Sequence, residues 1–342
     1  MDNAVILSEG AFGTIDGKTG NGLVRYTTRY KISSVIDSTK AGKDSGQVLS
    51  GKRNGVPIVS TVAEGIERGA NTLIIGVATD GGFLPMNYRS YVSEALQRGM
   101  NVVSGLHEFL SDDPEFKAIA ERSGSNIVDV RKIFLNWKYM FTGKIFNVES
   151  FRIAVLGTDS AIGKRTTAVI VTNNFKKKGV NAVMLGTGQT AWMQGFKHTT
   201  VIDSMINDFV PGGLEKIAID AWEEEHPEVM VAEGQGSVLH PVYPGSFEII
   251  GAIRPDAIIL QHAPKRKYFD GFPSMKIPDL EKYIKILELL SGKKVIAISL
   301  NSEGMERSEI REEIANLENR FGIPAFDPFD FTPSLIQEIY AH

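Results

Sequence analysis

Residues 151–168, Phe-Arg-Ile-Ala-Val-Leu-Gly-Thr-Asp-Ser-Ala-Ile-Gly-Lys-Arg-Thr-Thr-Ala, constrain this chain more than any other stretch. The apolar run 153–156 reads as a buried strand, Gly157 and Gly163 bound a turn, and Lys164 opens a segment of helical character. Strand, glycine loop, lysine and helix start are the parts of a phosphate cradle. Backbone N–H groups wrap the anion, the helix N-terminus adds positive potential and the lysine adds a mobile charge. Gly157, Thr158, Asp159, Ser160, Gly163, Lys164, Arg165, Thr166 and Thr167 are therefore the candidate cofactor-binding residues, and a nucleotide-like diphosphate is the expected ligand.

The spacing departs from the common G-x-x-x-x-G-K-[ST] pattern. Five residues separate Gly157 from Gly163, and Arg165 stands where a Mg²⁺-binding hydroxyl usually follows the lysine. A shift of one residue on a helix turns a side chain by about 100° and moves it about 1.5 Å along the axis. Thr166 therefore does not replace that hydroxyl without a change of register. Phosphate binding is expected; a standard Mg-ATP hydrolysis site is not.

Further apolar runs at 181–185, 228–232, 256–260 and 294–300, with a short one at 324–326, lack polar alternation. Such runs describe strands buried on both faces of a parallel sheet. Each ends in glycine or polar residues, where ligands of open α/β sheets bind. Glu233 directly follows its strand, the position at which phosphate-loop proteins hold Mg²⁺ or its water, so it is the candidate metal ligand if Mg²⁺ is used. Gln189 and Thr190 are candidate substrate contacts, with Trp192 and Met193 beside them read as packing residues. Asp203 and Asp208 lie on a polar stretch, and His240 and His262 fall near strand ends. Glu233, His240 and Asp203 are the candidate catalytic residues, as proton acceptors. Lys265-Arg-Lys267 reads as a solvated loop.

The first half alternates strand-like segments at 31–36, 56–59, 71–76 and 101–104 with helical ones at 62–68, 88–98 and 115–122. That alternation predicts a Rossmann-like parallel layer, although no GxGxxG fingerprint is present. Asp37 with Gly42 and Lys43, the 78–82 loop and residues 105–107 mark its strand ends. Gly17-Lys-Thr-Gly-Asn-Gly22 has no apolar strand directly before it and reads as a flexible surface turn, with Lys18 and Arg25 as candidate holders of a substrate anion. The aromatic stretch 123–150 reads as a connection, with a boundary between Gly143 and Glu149. The expected fold is α/β: a Rossmann-like N-terminal domain over 1–145, then a P-loop NTPase-like parallel-sheet domain over 146–342.

A chain of 342 residues is long enough for two cores, and 42% hydrophobic with 23% charged residues is globular composition, which argues against disorder. A net charge of −4 gives no support for binding through a basic surface, so nucleic acid is not an expected partner. The absence of cysteine excludes disulfides, thiolate metal sites and a cysteine nucleophile. With no long apolar stretch and no basic, apolar leader, a cytoplasmic protein without membrane association is expected. A homo-oligomer is expected on general grounds.

The loop, with Val231-Ala-Glu-Gly-Gln-Gly236 later, resembles dethiobiotin synthetase and its relatives, which carry a G-T-D-T-x-x-G-K-T loop and an E-G-A-G-G strand end. Nearly the whole chain is more similar to the two-domain family typified by the D-glutamate N-acetyltransferase. That resemblance rests on Lys18-Thr19 with Gly22, Arg25-Tyr26, Gly76-Val-Ala78 with Gly81-Gly82, and Ser104-Gly-Leu-His107. It continues in Gly157-Thr-Asp159, Gly163-Lys164 with Thr166-Thr167, Thr187-Gly-Gln-Thr190 with Trp192-Met193, and Glu233-Gly-Gln-Gly236. In that family the residue after the loop lysine is likewise neither Ser nor Thr.

Two enzymatic readings follow. The resemblance implies an acetyl-CoA-dependent N-acyltransferase acting on an amino-acid-like small molecule such as D-glutamate, with the loop holding the coenzyme's diphosphate. The alternative is a Mg-ATP-dependent ligase or kinase-like enzyme, in which Lys164 stabilises the transferred phosphoryl group and Glu233 binds Mg²⁺. A nucleotide-binding regulatory protein without turnover is a third reading, because fold and loop specify binding but not chemistry.

Overall fold

Apolar runs with no polar alternation need cover on both faces, and the computed structural model, which describes residues 1–331, gathers them into two parallel sheets. Contacts divide the chain into two units, one of Met1–Asn136 with Gln189–Lys197 and one of Trp137–Gly188 with residues 198 onward. From sequence, the division is expected between Gly143 and Glu149 and the second domain runs to residue 342; residues 332–342 lie outside the described ones. No helix among the described residues is long and apolar enough to cross a membrane.

In chain order the elements are β1 (Asp2–Leu7), α1 (Lys18–Arg25), β2 (Tyr30–Ile36), α2 (Ser45–Ser50), β3 (Ile58–Val59), α3 (Val62–Glu67), β4 (Thr72–Ile75), α4 (Arg89–Gln97), β5 (Asn101–Ser104), α5 (Pro114–Ser123), β6 (Ile127–Asp129) and α6 (Val130–Leu135). There follow β7 (Phe151–Gly157), α7 (Lys164–Lys177), β8 (Ala182–Leu185), α8 (Gln189–Gln194), α9 (Val210–Glu225), β9 (Val229–Glu233), α10 (Ser246–Ile253) and β10 (Ala257–His262). The remainder is β11 (Tyr268–Phe269), β12 (Phe272–Lys276), α11 (Leu280–Ser291), β13 (Val295–Leu300), α12 (Arg307–Phe321) and β14 (Ala325–Phe326).

The first sheet has the order β3-β2-β1-β4-β5-β6 with every pair parallel, the Rossmann-like layer expected. Its central strand β1 is not among the strand-like segments expected from sequence, and neither is β6. Residues 18–22 form the start of α1 rather than a surface turn. Glycine disfavours a helix by about 1 kcal/mol relative to Ala, but here it permits contact. The Gly20 N–H donates to the Gly76 carbonyl at 2.8 Å, and a Cβ on Gly20 would stand 2.6 Å from Ser8 Oγ. Asp37, at the end of β2, is fully buried and accepts from the Gly10 and Phe12 N–H groups, from Thr39 and from Lys40. Burial alone would raise its pKa, yet these donors outweigh it and hold the carboxyl below its ordinary range. That carboxylate braces the long loop between β1 and α1.

The second sheet has the order β14-β13-β10-β7-β9-β8, again all parallel, with β11 and β12 forming a separate antiparallel hairpin. Each unit buries its own core, one centred on β1, β4 and β5 and the other on β7, β9 and β10. Placing the loop strand β7 at the middle of its sheet brings β9 alongside, with Val155 paired to Glu233. That register sets the site.

Candidate functional site

The turn after β7 is close-packed backbone wrapped around a buried lysine. Gly163 adopts φ +98°, a conformation that favours glycine, and supplies no capping side chain to α7. The first-turn N–H groups of this fourteen-residue helix are thus directed at the loop, with the positive end of the helix dipole behind them. Lys164 is only 5% exposed and its Nζ donates to the Asp159 carbonyl at 2.5 Å, so its charge lies within the loop. A Cβ on Gly157 would meet Lys164 Cδ at 2.9 Å, and one on Gly234 would stand 2.1 Å from the Val155 carbonyl oxygen. Both glycines leave room for the lysine.

Several loop side chains are committed to neighbouring elements. Asp159 is fully buried; its carboxylate accepts from Arg266 at 3.0 Å, from the Asp270 N–H at 3.0 Å and from the Ser160 N–H at 2.7 Å. Ser160 donates to the Asp270 carboxylate at 2.6 Å. The β11–β12 hairpin therefore grips the loop through its Asp270 turn. Thr158 is held by the Gln261 carbonyl, by Tyr283 and by His262, while the Thr167 hydroxyl donates to Gln261 at 2.5 Å beneath the loop. These side chains shape the cradle, whereas from sequence all of them are counted among the cofactor contacts. Arg266, in a run expected to be solvated, is one of the bracing groups; its position just past a strand end of the sheet was the available signal.

His240 sits in an aromatic nest of Tyr243, Phe269 and Phe272. Its Nδ1 accepts from the Val242 and Tyr243 N–H groups at 3.1 and 3.0 Å, which puts the ring proton on Nε2. Nε2 faces the Asp270 carbonyl at 3.3 Å and Asp159 Oδ1 at 3.5 Å. Burial lowers its pKa, with Asp159 and Asp270 partly opposing. With both ring nitrogens engaged, His240 has no lone pair directed at a substrate, contrary to its candidacy as a base.

Glu233 ends β9 with its side chain 4% exposed. Oε2 accepts from the Thr187 N–H at 3.1 Å, and Oε1 lies 3.8 Å from the guanidinium of Arg165, itself 20% exposed. Gln235 donates to the Thr187 hydroxyl, which in turn donates to the Glu233 carbonyl. Burial pushes the Glu233 pKa up; Arg165, the Thr187 N–H and Lys164 pull it back, and Asp203 adds to the rise. Burial also lowers the Arg165 pKa, against the pull of Glu233. Asp203 itself is exposed on a short turn, Ile202–Ser204, and acts on Glu233 through its charge.

The candidate substrate contacts fall in the first unit, where α8 packs on α1. Thr190 Oγ1 lies 3.1 Å from Thr19 Oγ1, Gln194 donates to the Gly22 carbonyl at 2.9 Å, and Arg29 stacks over Trp192. Lys18 and Arg25 are exposed on α1, and Gln189 lies at the start of α8. Lys18, Arg25, Gln189 and Thr190 are thus carried by two packed helices, although about 170 residues separate them in sequence.

His262, at the end of β10, gives the second unit a pH dependence. Burial pushes its pKa from 6.5 down to about 4. The unfolded chain takes up this proton as pH falls through 6.5, while the folded state does so only near 4, so stability is lost across that window. We expect a stability decrease of up to about 3 kcal/mol between pH 7 and pH 4 from this group. Urea midpoints of wild type and His262→Gln across that range check it, since the variant's slope should be flatter; parallel slopes would contradict it.

Comparison with known proteins agrees with this architecture. Residues 139–336 match a family described as a domain of unknown function, DUF1611, C-terminal P-loop domain. Residues 38–133 match its N-terminal, Rossmann-like counterpart. A D-glutamate N-acetyltransferase of Tritonibacter scottomollicae is 31% identical over 79% of this chain and 80% of its own length. A second, from Pseudoalteromonas sp., is 30% identical over 78% and 80%. The crystal structure of a DUF1611 family protein from Anabaena variabilis superposes with a TM-score of 0.92 over 100% of both chains at 29% identity.

Proposed function

As the chain belongs to the DUF1611 family, joining a Rossmann-like unit to a P-loop unit, we propose that it is an acyl-CoA-dependent N-acyltransferase acting on the amino group of a D-amino acid such as D-glutamate. The observation that carries this reading is the helix-backed cradle of Gly157, Gly163 and Lys164 with a buried carboxylate, Glu233, at its side. Two relatives at 30–31% identity that bear the D-glutamate N-acetyltransferase name support it. Coenzyme A contains a 3′-phosphorylated ADP, whose diphosphate suits such a cradle and is held without being hydrolysed. When bound, acetyl-CoA supplies a thioester carbonyl open to attack by an amine.

The α7 first-turn N–H groups and Lys164 hold the diphosphate. An acceptor ammonium must lose a proton before its nitrogen forms the new C–N bond and the C–S bond to the departing thiol breaks. Of the candidate bases, Glu233 fits: it is buried, and burial raises its affinity for a proton. Asp203 tunes that affinity through its charge, and His240 braces Asp159.

Binding of acetyl-CoA, CoA, ATP and GTP to the purified protein, each with and without Mg²⁺, tests the reading. CoA and acetyl-CoA are expected to bind, and Lys164→Ala to weaken them by about tenfold to a hundredfold through loss of a charge-assisted contact. Unchanged affinity in Lys164→Ala would remove the cradle. Mg²⁺-dependent ATP binding without CoA binding would favour the ligase reading instead.

A further inference from the structure

A carboxylate that ends the strand beside a phosphate loop usually faces Mg²⁺, together with the hydroxyl that follows the loop lysine. Here both partners of that metal are altered. Arg165 replaces the hydroxyl residue, and its side chain is drawn inward until NH1 lies 3.8 Å from Glu233 Oε1. The other carboxylate oxygen already accepts from the Thr187 N–H at 3.1 Å. The Thr167 hydroxyl, two residues further along, is committed to Gln261 and Ser299 beneath the loop. A divalent cation at Glu233 would therefore meet a guanidinium at close range, and like charges repel strongly where water is scarce.

We propose that Arg165 is a specificity-determining residue which takes the place of a divalent cation, so that the loop binds metal-free diphosphates such as that of CoA and discriminates against Mg-ATP. The proposal rests on reading the loop as a diphosphate cradle. It deepens that reading by naming which phosphate species the cradle accepts. Arginine suits this role because its planar fork donates to a phosphate with some N–H groups while others stay on a carboxylate. Burial disfavours the charge on Arg165 and Glu233 opposes that effect; a phosphate oxygen beside the guanidinium would favour its charged form in the same way. A Mg²⁺ ion carried in with ATP would find the oxygen of Glu233 that it needs already facing the Arg165 guanidinium.

Calorimetric titration with CoA and ATP, each in EDTA and in excess Mg²⁺, tests this on the full chain. Wild type is expected to bind CoA equally well in both buffers, within about twofold, and to bind Mg-ATP at least about tenfold more weakly than CoA. Arg165→Ser should weaken CoA binding in EDTA by about tenfold to a hundredfold, and added Mg²⁺ should recover part of it. Arg165→Lys, which keeps the positive charge, should stay metal-independent with intermediate affinity; it serves if the serine variant does not fold. A wild type that needs Mg²⁺ to bind CoA, or an Arg165→Ser protein that binds metal-free CoA as tightly as wild type, would overturn the proposal. If Lys164→Ala abolishes binding while either of those results is obtained, the cradle survives and the role of Arg165 alone is lost. If Lys164→Ala leaves CoA affinity unchanged, cradle and proposal fall together.

Discussion

Glu233→Gln is expected to lower the rate of acetyl transfer by about 10²–10⁴-fold while leaving CoA affinity within a few-fold. Glutamine keeps the size of the side chain and an oxygen for the Thr187 N–H, but it cannot accept the ammonium proton. Loss of the negative charge leaves Arg165 more available to phosphate, so binding should not suffer. Wild-type activity should also show an acidic limb. Because burial raises the Glu233 pKa above 4.5, the carboxylate becomes protonated, and the base is lost, as pH falls through a value above the ordinary carboxylate range. The limb should vanish in Glu233→Gln. A variant retaining a third or more of the wild-type rate would place the base elsewhere.

Gly234→Ala should destabilise the second unit by about 3 kcal/mol or more and abolish CoA binding in whatever protein remains folded. Its Cβ would stand 2.1 Å from the Val155 carbonyl oxygen, on the strand that feeds the loop, and 2.9 Å from Lys164 Cδ. Neither backbone nor lysine yields without moving the cradle. Gly251→Ala is the matched control: it lies on an exposed face of α10 with nothing within 4 Å of the added carbon. There the substitution should stabilise by about 0.5–1 kcal/mol, since alanine is the better helix former. Thermal melts of the two variants beside wild type decide the point, and equal effects would mean that the close approach at Gly234 is absorbed elsewhere.

The parallel strands of the P-loop unit were legible because 153–156, 181–185, 228–232 and 294–300 are near-continuous apolar runs without polar alternation, the pattern that burial on both faces imposes. Arg165 and Glu233 were legible as positions but not as a pair. Their meeting follows from β9 lying next to β7, which skips β8 in the chain. β1 offers only a short apolar run, Ala4 to Leu7, with no turn signal before it, and β6 only three residues, the last of them Asp129. α1 was hidden by its glycines, whose helix-breaking tendency is overridden where Gly20 touches Gly76. The allegiance of α8 to the first unit depends on contacts such as Thr19 with Thr190, for which no local pattern exists. The roles of Asp159 and His240 were hidden for the same reason: their hairpin partner Asp270 lies 111 and 30 residues away in sequence, and only folding brings it to the loop.

Direct observation of acetyl transfer tests whether the protein is an acyl-CoA-dependent N-acyltransferase. Purified protein is incubated with acetyl-CoA and D-glutamate in the absence of ATP, and free thiol and N-acetylated product are followed together. CoA thiol and N-acetyl-D-glutamate, or the corresponding product of another D-amino acid, are expected to appear in equal amounts, with EDTA having no effect and Lys164→Ala much reduced. Absence of thiol release across a panel of D-amino acids, together with amine-dependent ATP cleavage that requires Mg²⁺, would contradict it.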